Sequence, residues 1–285
     1  MGFSCMAVHI LTRHKGQDKQ EVRIFNSIVR MLGTTLNVYA YIVDGMLIDS
    51  GPHKLRSGIL DFCLQNQPDK IVHTHFHEDH TGNTAYLVKK LQVPAYIHPD
   101  SLGICRMKGD IPFYRLAFWG HRMGFQAEPL PDFIENEHSR FEVIQTPGHT
   151  TDHVAFLDRE EGRLFSGDLF LHQKTRVVRR KENIPLIMES LRTLLKESFE
   201  TVYCAHGGEI KQGYRLVEQK LAYLEELQEE ILNLSQQGMD IKAIVKRIFP
   251  QTPVIAYFSL GEFSSYNLVR SLIEDKVTGS KRPTL

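Results

Sequence analysis

The chain has 285 residues, with 34 Lys plus Arg against 34 Asp plus Glu, so its formal charge is zero. Without a global field, polyanion-binding roles such as repressor or RNA chaperone are disfavoured. At 42% apolar and 24% charged residues the composition is globular, and a chain of this size buries roughly 75% of its unfolded surface. The first residues, MGFSCMAVHILTRHKG, carry charge and two His before any apolar core, so they read as no export signal. Met6 stands where a myristoylation signal after Gly2 requires Ser or Thr. From Val22 to about Glu209 short strands alternate with helices. Asn37–Val43 and Met46–Ser50 flank Asp44-Gly45, a hairpin signal. The apolar run Val38–Val43 is far short of the ~20 residues that span a bilayer, so no membrane partner is expected. Leu55, Ile59, Leu60, Cys63 and Leu64 give helical spacing over Lys54–Gln65, and Pro68 follows. A strand is expected at Lys70–Thr74, then a His-rich loop, a helix from about Thr81 to Leu91, and a strand at Pro94–His98.

FEVIQ, HVAFL, RLFSG and TVYCA read as further short strands, with a helix over about Ile184–Ser198. After Gly213 the pattern changes. Val217, Leu221, Leu224, Leu227, Ile231 and Leu234 recur every three or four residues, a long amphipathic helix ended by Gly238. Asp240 can cap a second helix with Ile241, Ile244, Val245 and Ile248, stopped by Pro250, and a third fits Ser264–Glu274. The expected organisation is residues 1–210 as a catalytic domain and 211–285 as a helical C-terminal domain. Ten basic residues against nine acidic ones give this end no basic face for DNA. Cys5, Cys63, Cys105 and Cys204 form no CxxC, so they read as free thiols of a cytoplasmic protein.

The chemistry concentrates in Thr74-His75-Phe76-His77-Glu78-Asp79-His80, three imidazoles and a carboxylate directly after a strand. His75 and His77, two apart on extended backbone, face one side. Imidazole and carboxylate suit Zn²⁺, Fe and Mn²⁺ alike. Three more candidates follow strands: His149 after Thr146-Pro147-Gly148, Asp168 in Ser166-Gly167-Asp168, and His206 in Cys204-Ala205-His206-Gly207-Gly208. Each alone is unremarkable. Four strand ends supplying two metals' worth of ligands are not.

The order THxHxDH, PGH, GD and AHGG, preceded by Leu47-Ile48-Asp49-Ser50-Gly51, resembles the metallo-β-lactamase superfamily over about the first three-quarters of the chain. The resemblance implies an α/β fold, a four-layer αββα sandwich, with two divalent metal ions, zinc by preference and Fe or Mn as alternatives, at one edge. It implies that His75, His77 and His149 hold the first metal, Asp79, His80 and His206 the second, and that Asp168 bridges them. Asp49 would orient a ligand imidazole, and Asp79 would also act catalytically by holding a metal-bridging hydroxide. His77 departs from the HxE of flavodiiron proteins, and His80 from the HxHxDR of first-subclass lactam hydrolases. The spacing and helical extension look most like the glyoxalase II-like hydrolases, some of which end in a winged-helix-like cap. The function so implied is hydrolysis of a thioester or lactone in a small acyl substrate. A mononuclear iron persulfide dioxygenase and a ribonuclease Z-type nuclease are the alternatives, nucleic acid being disfavoured by the neutral charge. The oligomeric state is not legible, a dimer being compatible.

Phe113, Tyr114, Phe118, Trp119 and Phe125 with Arg115, His121 and Arg122 could line a pocket or cover the core. Lys174, Arg176, Arg179, Arg180 and Lys181 form either a solvated loop or an anchor for an anionic substrate tail. His153 reads as supporting rather than ligating, His73 as lying in the strand before the site, and Cys204 as a core residue of its strand.

Overall fold

In the computed structural model, residues 21–31, 34–171 and 173–278 are described. The expectations for Gly2, Cys5 and Met6 fall outside them. Contacts divide the described residues into two units, the first within 21–145, 152–171 and 198–213, and the second within 146–151, 173–197 and 214–278.

The first unit begins with the longest strands, β1 (Arg23–Met31) and β2 (Thr34–Val43), paired antiparallel. Asp44 and Gly45 both take positive φ, 45° and 78°, so the two-residue turn matches strand twist and delivers β3 (Met46–Ile48) back onto β2. From β3 the sheet continues in parallel through β4 (Lys70–Val72), β5 (Ala95–Ile97) and β6 (Glu128–Pro129). The second sheet runs in the order β13-β12-β10-β9-β8-β7, with β7 (Phe133–Glu135), β8 (Arg140–Gln145), β9 (Val154–Asp158), β10 (Arg163–Gly167), β12 (Thr201–Cys204) and β13 (Gly208–Ile210).

Strand alternation assigns the two faces of the first sheet to two cores. Val38, Ala40, Ile42, Leu47 and Ile71 pack with Ile59, Phe62, Leu87, Phe118 and Trp119 of α1 (Arg56–Asn66), α3 (Thr84–Leu91) and α5 (Phe113–Trp119). Tyr41, Val43, Met46, Ile48 and Val72 face Phe141, Val154, Phe156, Phe165 and Tyr203 of the second sheet. Covered on both sides, these strands read as continuous apolar runs. The aromatic run at 113–119 is thus split: Phe118 and Trp119 join the core, whereas Phe113 is 84% exposed.

The helix expected from about Thr81 to Leu91 is α3, and the expected His-rich loop before it holds a short helix, α2 (Glu78–Thr81), parted from α3 at Gly82-Asn83. The Asn83 side-chain amide donates to the carbonyls of Ser50, Gly51 and Pro52, which ties the break to the loop after β3. After β5 the chain forms α4 (Leu102–Arg106) before α5.

In the second unit, α6 (Ile184–Leu194) stops four residues before the expected end. Lys196 and Glu197 donate to the carbonyls of Thr193 and Leu194, i→i−3 bonds that tighten and close the last turn. α7 (Gly213–Gln236) carries the long amphipathic stripe, and Gly238 follows at φ 86°. α8 (Ile241–Ile248) has the expected cap, Asp240 Oδ1 accepting from the Ala243 amide at 2.8 Å. α9 (Val254–Phe258) and the two-residue ladder of β11 (Val178–Arg179) with β14 (Phe263–Ser264) have no counterpart in the sequence reading, and α10 (Ser265–Thr278) stands where the third helix was expected. Among the described residues no helix is long and apolar enough to cross a membrane.

Candidate metal centre

Two parallel strand pairs, one from each sheet, set out the centre. In the first sheet Ile48 is in register with Val72, so Asp49 and His73 leave β3 and β4 side by side. In the second Gly167 is in register with Cys204 after a bulge, so Asp168 and Ala205-His206 leave β10 and β12 together. Crossing bonds fix the sheets at this end, from the Tyr39 amide to Ala205 O (2.8 Å) and from the Val154 amide to Thr74 O (2.8 Å).

Asp49 organises the first-sheet side. It takes a left-handed φ of 59°, a conformation uncommon outside Gly, Asn and Asp. Its Oδ1 accepts from the Thr74 amide (3.0 Å), and its Oδ2 from Thr74 Oγ1 (2.9 Å) and His80 Nδ1 (2.7 Å). A carboxylate can only accept here, so His80 carries its proton on Nδ1 and turns Nε2 inward. That Nε2 is buried with no hydrogen-bond partner, 3.3 Å from Asp168 Oδ1. His206 follows the same logic, because its Nδ1 lies 2.6 Å from the carbonyl of Asn37. Its Nε2 is therefore the nitrogen turned toward the carboxylates, 3.4 Å from Asp168 Oδ1 and 3.5 Å from Asp79 Oδ2.

Asp79, His80, Asp168 and His206 each bring one ligand atom into a group whose atoms all lie within 4.8 Å of one another. Beside it, His75 Nε2 and His77 Nδ1 are 2.8 Å apart. Donor chemistry fits a divalent cation: imidazole nitrogens with their far nitrogens fixed, plus carboxylate oxygens. The buried His80 Nε2, aimed at Asp168 without a hydrogen bond, fits it too. His149 stands on the turn after β8, in the second unit. Within that unit its Nδ1 lies 3.6 Å from Glu182 Oε1, and the turn is held by Asn183 N–H to Gly148 O (2.9 Å) and Ser190 Oγ–H to Pro147 O (2.7 Å).

Burial alone would raise the Asp49 carboxyl, but the charge of His80, its hydrogen bond and the nearby His73 imidazole, 3.5 Å away, override it and hold it well below the usual range. Burial likewise opposes a charged His80 and His206, and the neighbouring carboxylates raise both imidazoles in spite of it. His73 sits just beyond β4 rather than within it. Burial pushes its imidazole down, and its Nε2 meets Thr84 Oγ1 at 2.9 Å.

His153 is a support. Its Nε2 accepts the Asp168 amide at 3.1 Å, and a Cβ on Gly167, at φ 49°, would come within 2.7 Å of that nitrogen. Cys204 lies buried in β12, its Sγ–H donating to Phe170 O. Sequence reasoning missed Arg115 and Glu78 as partners of the centre. Arg115 Nε–H donates to Glu78 Oε1, and its Nη2 lies 3.3 Å from Asp79 Oδ1. A charged residue amid the aromatic run at 113–119 was the available signal. Of the basic stretch, Arg179 is engaged. Its Nε and Nη2 donate to Glu262 Oε1 at 3.1 and 3.0 Å, while Lys174, Arg176, Arg180 and Lys181 are exposed.

Two sheets in contact through an apolar core, with clustered His and Asp at the ends of parallel strands, define a two-sheet fold with a candidate metal centre at one edge. Residues 33–206 match the metallo-beta-lactamase superfamily, and the chain belongs to that family. It is 29% identical to a beta-lactamase-like protein 2 homolog of Drosophila melanogaster, over 82% of this chain and 86% of that protein. It is 26% identical to an atrochrysone carboxyl ACP thioesterase of Emericella nidulans, over 71% of this chain but 66% of that longer protein. A beta-lactamase domain protein from Burkholderia ambifaria superposes with a TM-score of 0.68 at 17% identity, covering 93% of this chain and 87% of that one. The fold is therefore the metallo-β-lactamase fold, with a helical C-terminal region.

Proposed function

We propose that the protein is a binuclear metal-dependent hydrolase that cleaves a thioester or lactone of a small acyl substrate. The observation that carries this is the four-residue group Asp79, His80, Asp168 and His206, fixed from behind by Asp49 and by the Asn37 carbonyl. On this reading Asp79, His80 and His206 would hold one cation, and Asp168 would serve both. His75 and His77 would hold the other, with His149 as the further ligand that the family resemblance implies. When bound, two such cations supply a water that is nucleophilic near neutral pH and polarise the substrate carbonyl. Asp49 keeps the His80 proton on Nδ1, so Nε2 stays available as a donor atom. Asp79 has two carboxylate oxygens, one toward His206 and one toward Arg115, and it holds the attacking water by accepting a hydrogen bond from it. The thioester is the favoured substrate because relatives bearing the name thioesterase match most of the chain. Cytoplasmic residence goes with this reading, on the free thiols of Cys63, Cys105 and Cys204.

The test is a panel of thioesters, lactones, phosphodiesters and persulfides assayed with protein loaded with zinc, manganese or iron. Chelator-sensitive turnover of a thioester or lactone at two metal equivalents is the expected result. One iron per chain with oxygen consumption on a persulfide overturns it, as does exclusive phosphodiester cleavage with steep salt dependence.

A further inference from the structure

Arg115 is 5% exposed on α5, and the two carboxylates it meets, Glu78 and Asp79, are 6% and 7% exposed. A buried guanidinium needs such partners, because an unpaired charge in the interior is costly. The contacts are divided. Nε takes Glu78, and Nη2 takes Asp79 Oδ1, whereas Asp79 Oδ2 faces His206 Nε2 at 3.5 Å and His80 Nε2 at 4.0 Å. The helix that carries Arg115 is itself anchored, since Phe118 and Trp119 lie in the core and Lys54 Nζ donates to Ala117 O. Trp119, one helical turn on, stacks against His206 with ring centroids 6.0 Å apart at 27°. One helix face thus touches two members of the four-residue group.

We infer that Arg115 is a positioning residue that locks Asp79 Oδ1 and leaves Oδ2 as the oxygen offered to a cation, with Glu78 as its charge partner. This rests on the reading of Asp79 as a ligand. Glu78 matters because two carboxylates share one guanidinium, so a full negative charge remains at the centre. A planar fork with separated donors can serve both carboxylates, and a lysine ammonium, a single point, cannot do so in the same geometry. A guanidinium is charged at every working pH, so the fork serves both carboxylates as a cation.

The experiment is zinc titration of the metal-stripped full chain against a competing chromophoric chelator, reading two stepwise affinities without any assay of turnover. Because Arg115→Ala strands Glu78 in the interior and can unfold the chain, the deciding variant is Glu78→Gln with Arg115→Met, which removes both charges together. The expected result is a second-equivalent affinity roughly 10- to 100-fold weaker, with the first unchanged, the usual cost of losing a group that orients a ligand. Arg115→Lys should recover only part of the loss. A double variant that loses thermal stability yet binds both equivalents as the native chain does would overturn the role, leaving Arg115 a structural ion pair. Asp79→Asn separates the two levels. If it abolishes the second equivalent while the double variant does not, only Arg115's role fails. If it leaves the second equivalent intact, the ligand reading of Asp79 fails as well, and this inference with it.

Discussion

Thr74–Thr81 and Lys174–Lys181 are both eight-residue segments dense in ionisable side chains, and the structure treats them oppositely. In the first, every residue but Phe76 is buried; in the second, only Val178 is. Burial drives the polar groups of Thr74–Thr81 to find partners, and other elements supply them, Asp49 after β3 and Arg115 on α5, while His80 Nε2 is left facing Asp168 after β10 without a hydrogen bond. In Lys174–Lys181 most charges face solvent, where high dielectric makes a partner optional, and only Arg179 has a fixed ion pair. Charge density along the sequence therefore does not mark a site. Charge density that the fold takes out of water does.

The largest test of this contrast is Asp168→Ala. Metal analysis should show the count falling from two toward one or zero per chain. Loss of several kcal/mol of charge stabilisation corresponds to a drop on the order of 10³-fold in kcat/KM. Full stoichiometry with full activity would return Asp168 to an ordinary strand end. His153→Ala is the matched control. It removes the acceptor of the Asp168 amide and should lower stability by about 1–3 kcal/mol with both metals retained.

Next in size is Asp49→Asn. The isosteric amide keeps a carbonyl oxygen but loses the charge that holds His80 Nδ1–H and the second acceptor that serves Thr74. Metal affinity should weaken roughly 10- to 100-fold, read by chelator competition. An unchanged affinity would mean that the strand ends alone fix the His80 ring.

How much of this was legible follows from range. His75, His77, Asp79, His80, Asp168 and His206 were readable because ligand types stand directly after β4, β10 and β12, and strand ends are set by local pattern. The break between α2 and α3 was not, since Asn83 caps carbonyls thirty residues earlier in the chain and no local propensity records that. Arg115 was hidden for the same reason: its partners lie 36 and 37 positions away. The β11–β14 ladder joins two-residue segments far apart in sequence, too short for any periodicity to show.

Burial without a partner sharpens the contrast further. Cys63 on α1 is fully buried with no charge beside it, and burial pushes its thiol up from 9.0 to about 12. The unfolded thiol ionises first. Stability is therefore fully present below pH 9 and falls as pH rises from there toward 12. At pH 10 the decline should be on the order of 1 kcal/mol. Unfolding free energies of the native chain and Cys63→Ala at pH 8 and pH 10 would show it as a shallower decline in the variant. Equal declines would mean that other groups carry the alkaline limb.

The smallest effect is expected from Arg179→Ala combined with Arg180→Ala, and it bears on the exposed member of the pair directly. If these arginines anchored an anionic tail of the substrate, their loss would raise KM and leave kcat nearly alone, because a remote contact is made equally in ground and transition states. The observed contacts favour a local role instead. Arg179 spans β11 to Glu262 beside β14, and its amide donates to Glu182 Oε1, while Arg180 lends only its carbonyl to Arg270. The double variant should therefore lose about 0.5–1 kcal/mol of stability, the scale of a partly exposed ion pair, with KM unchanged on the best substrate of the panel. Added salt should reproduce part of that stability loss, since screening weakens an exposed pair. A tenfold rise in KM at unaltered stability would show instead that Lys174–Lys181 meets the substrate, and that a site can be built from charges the fold leaves in water.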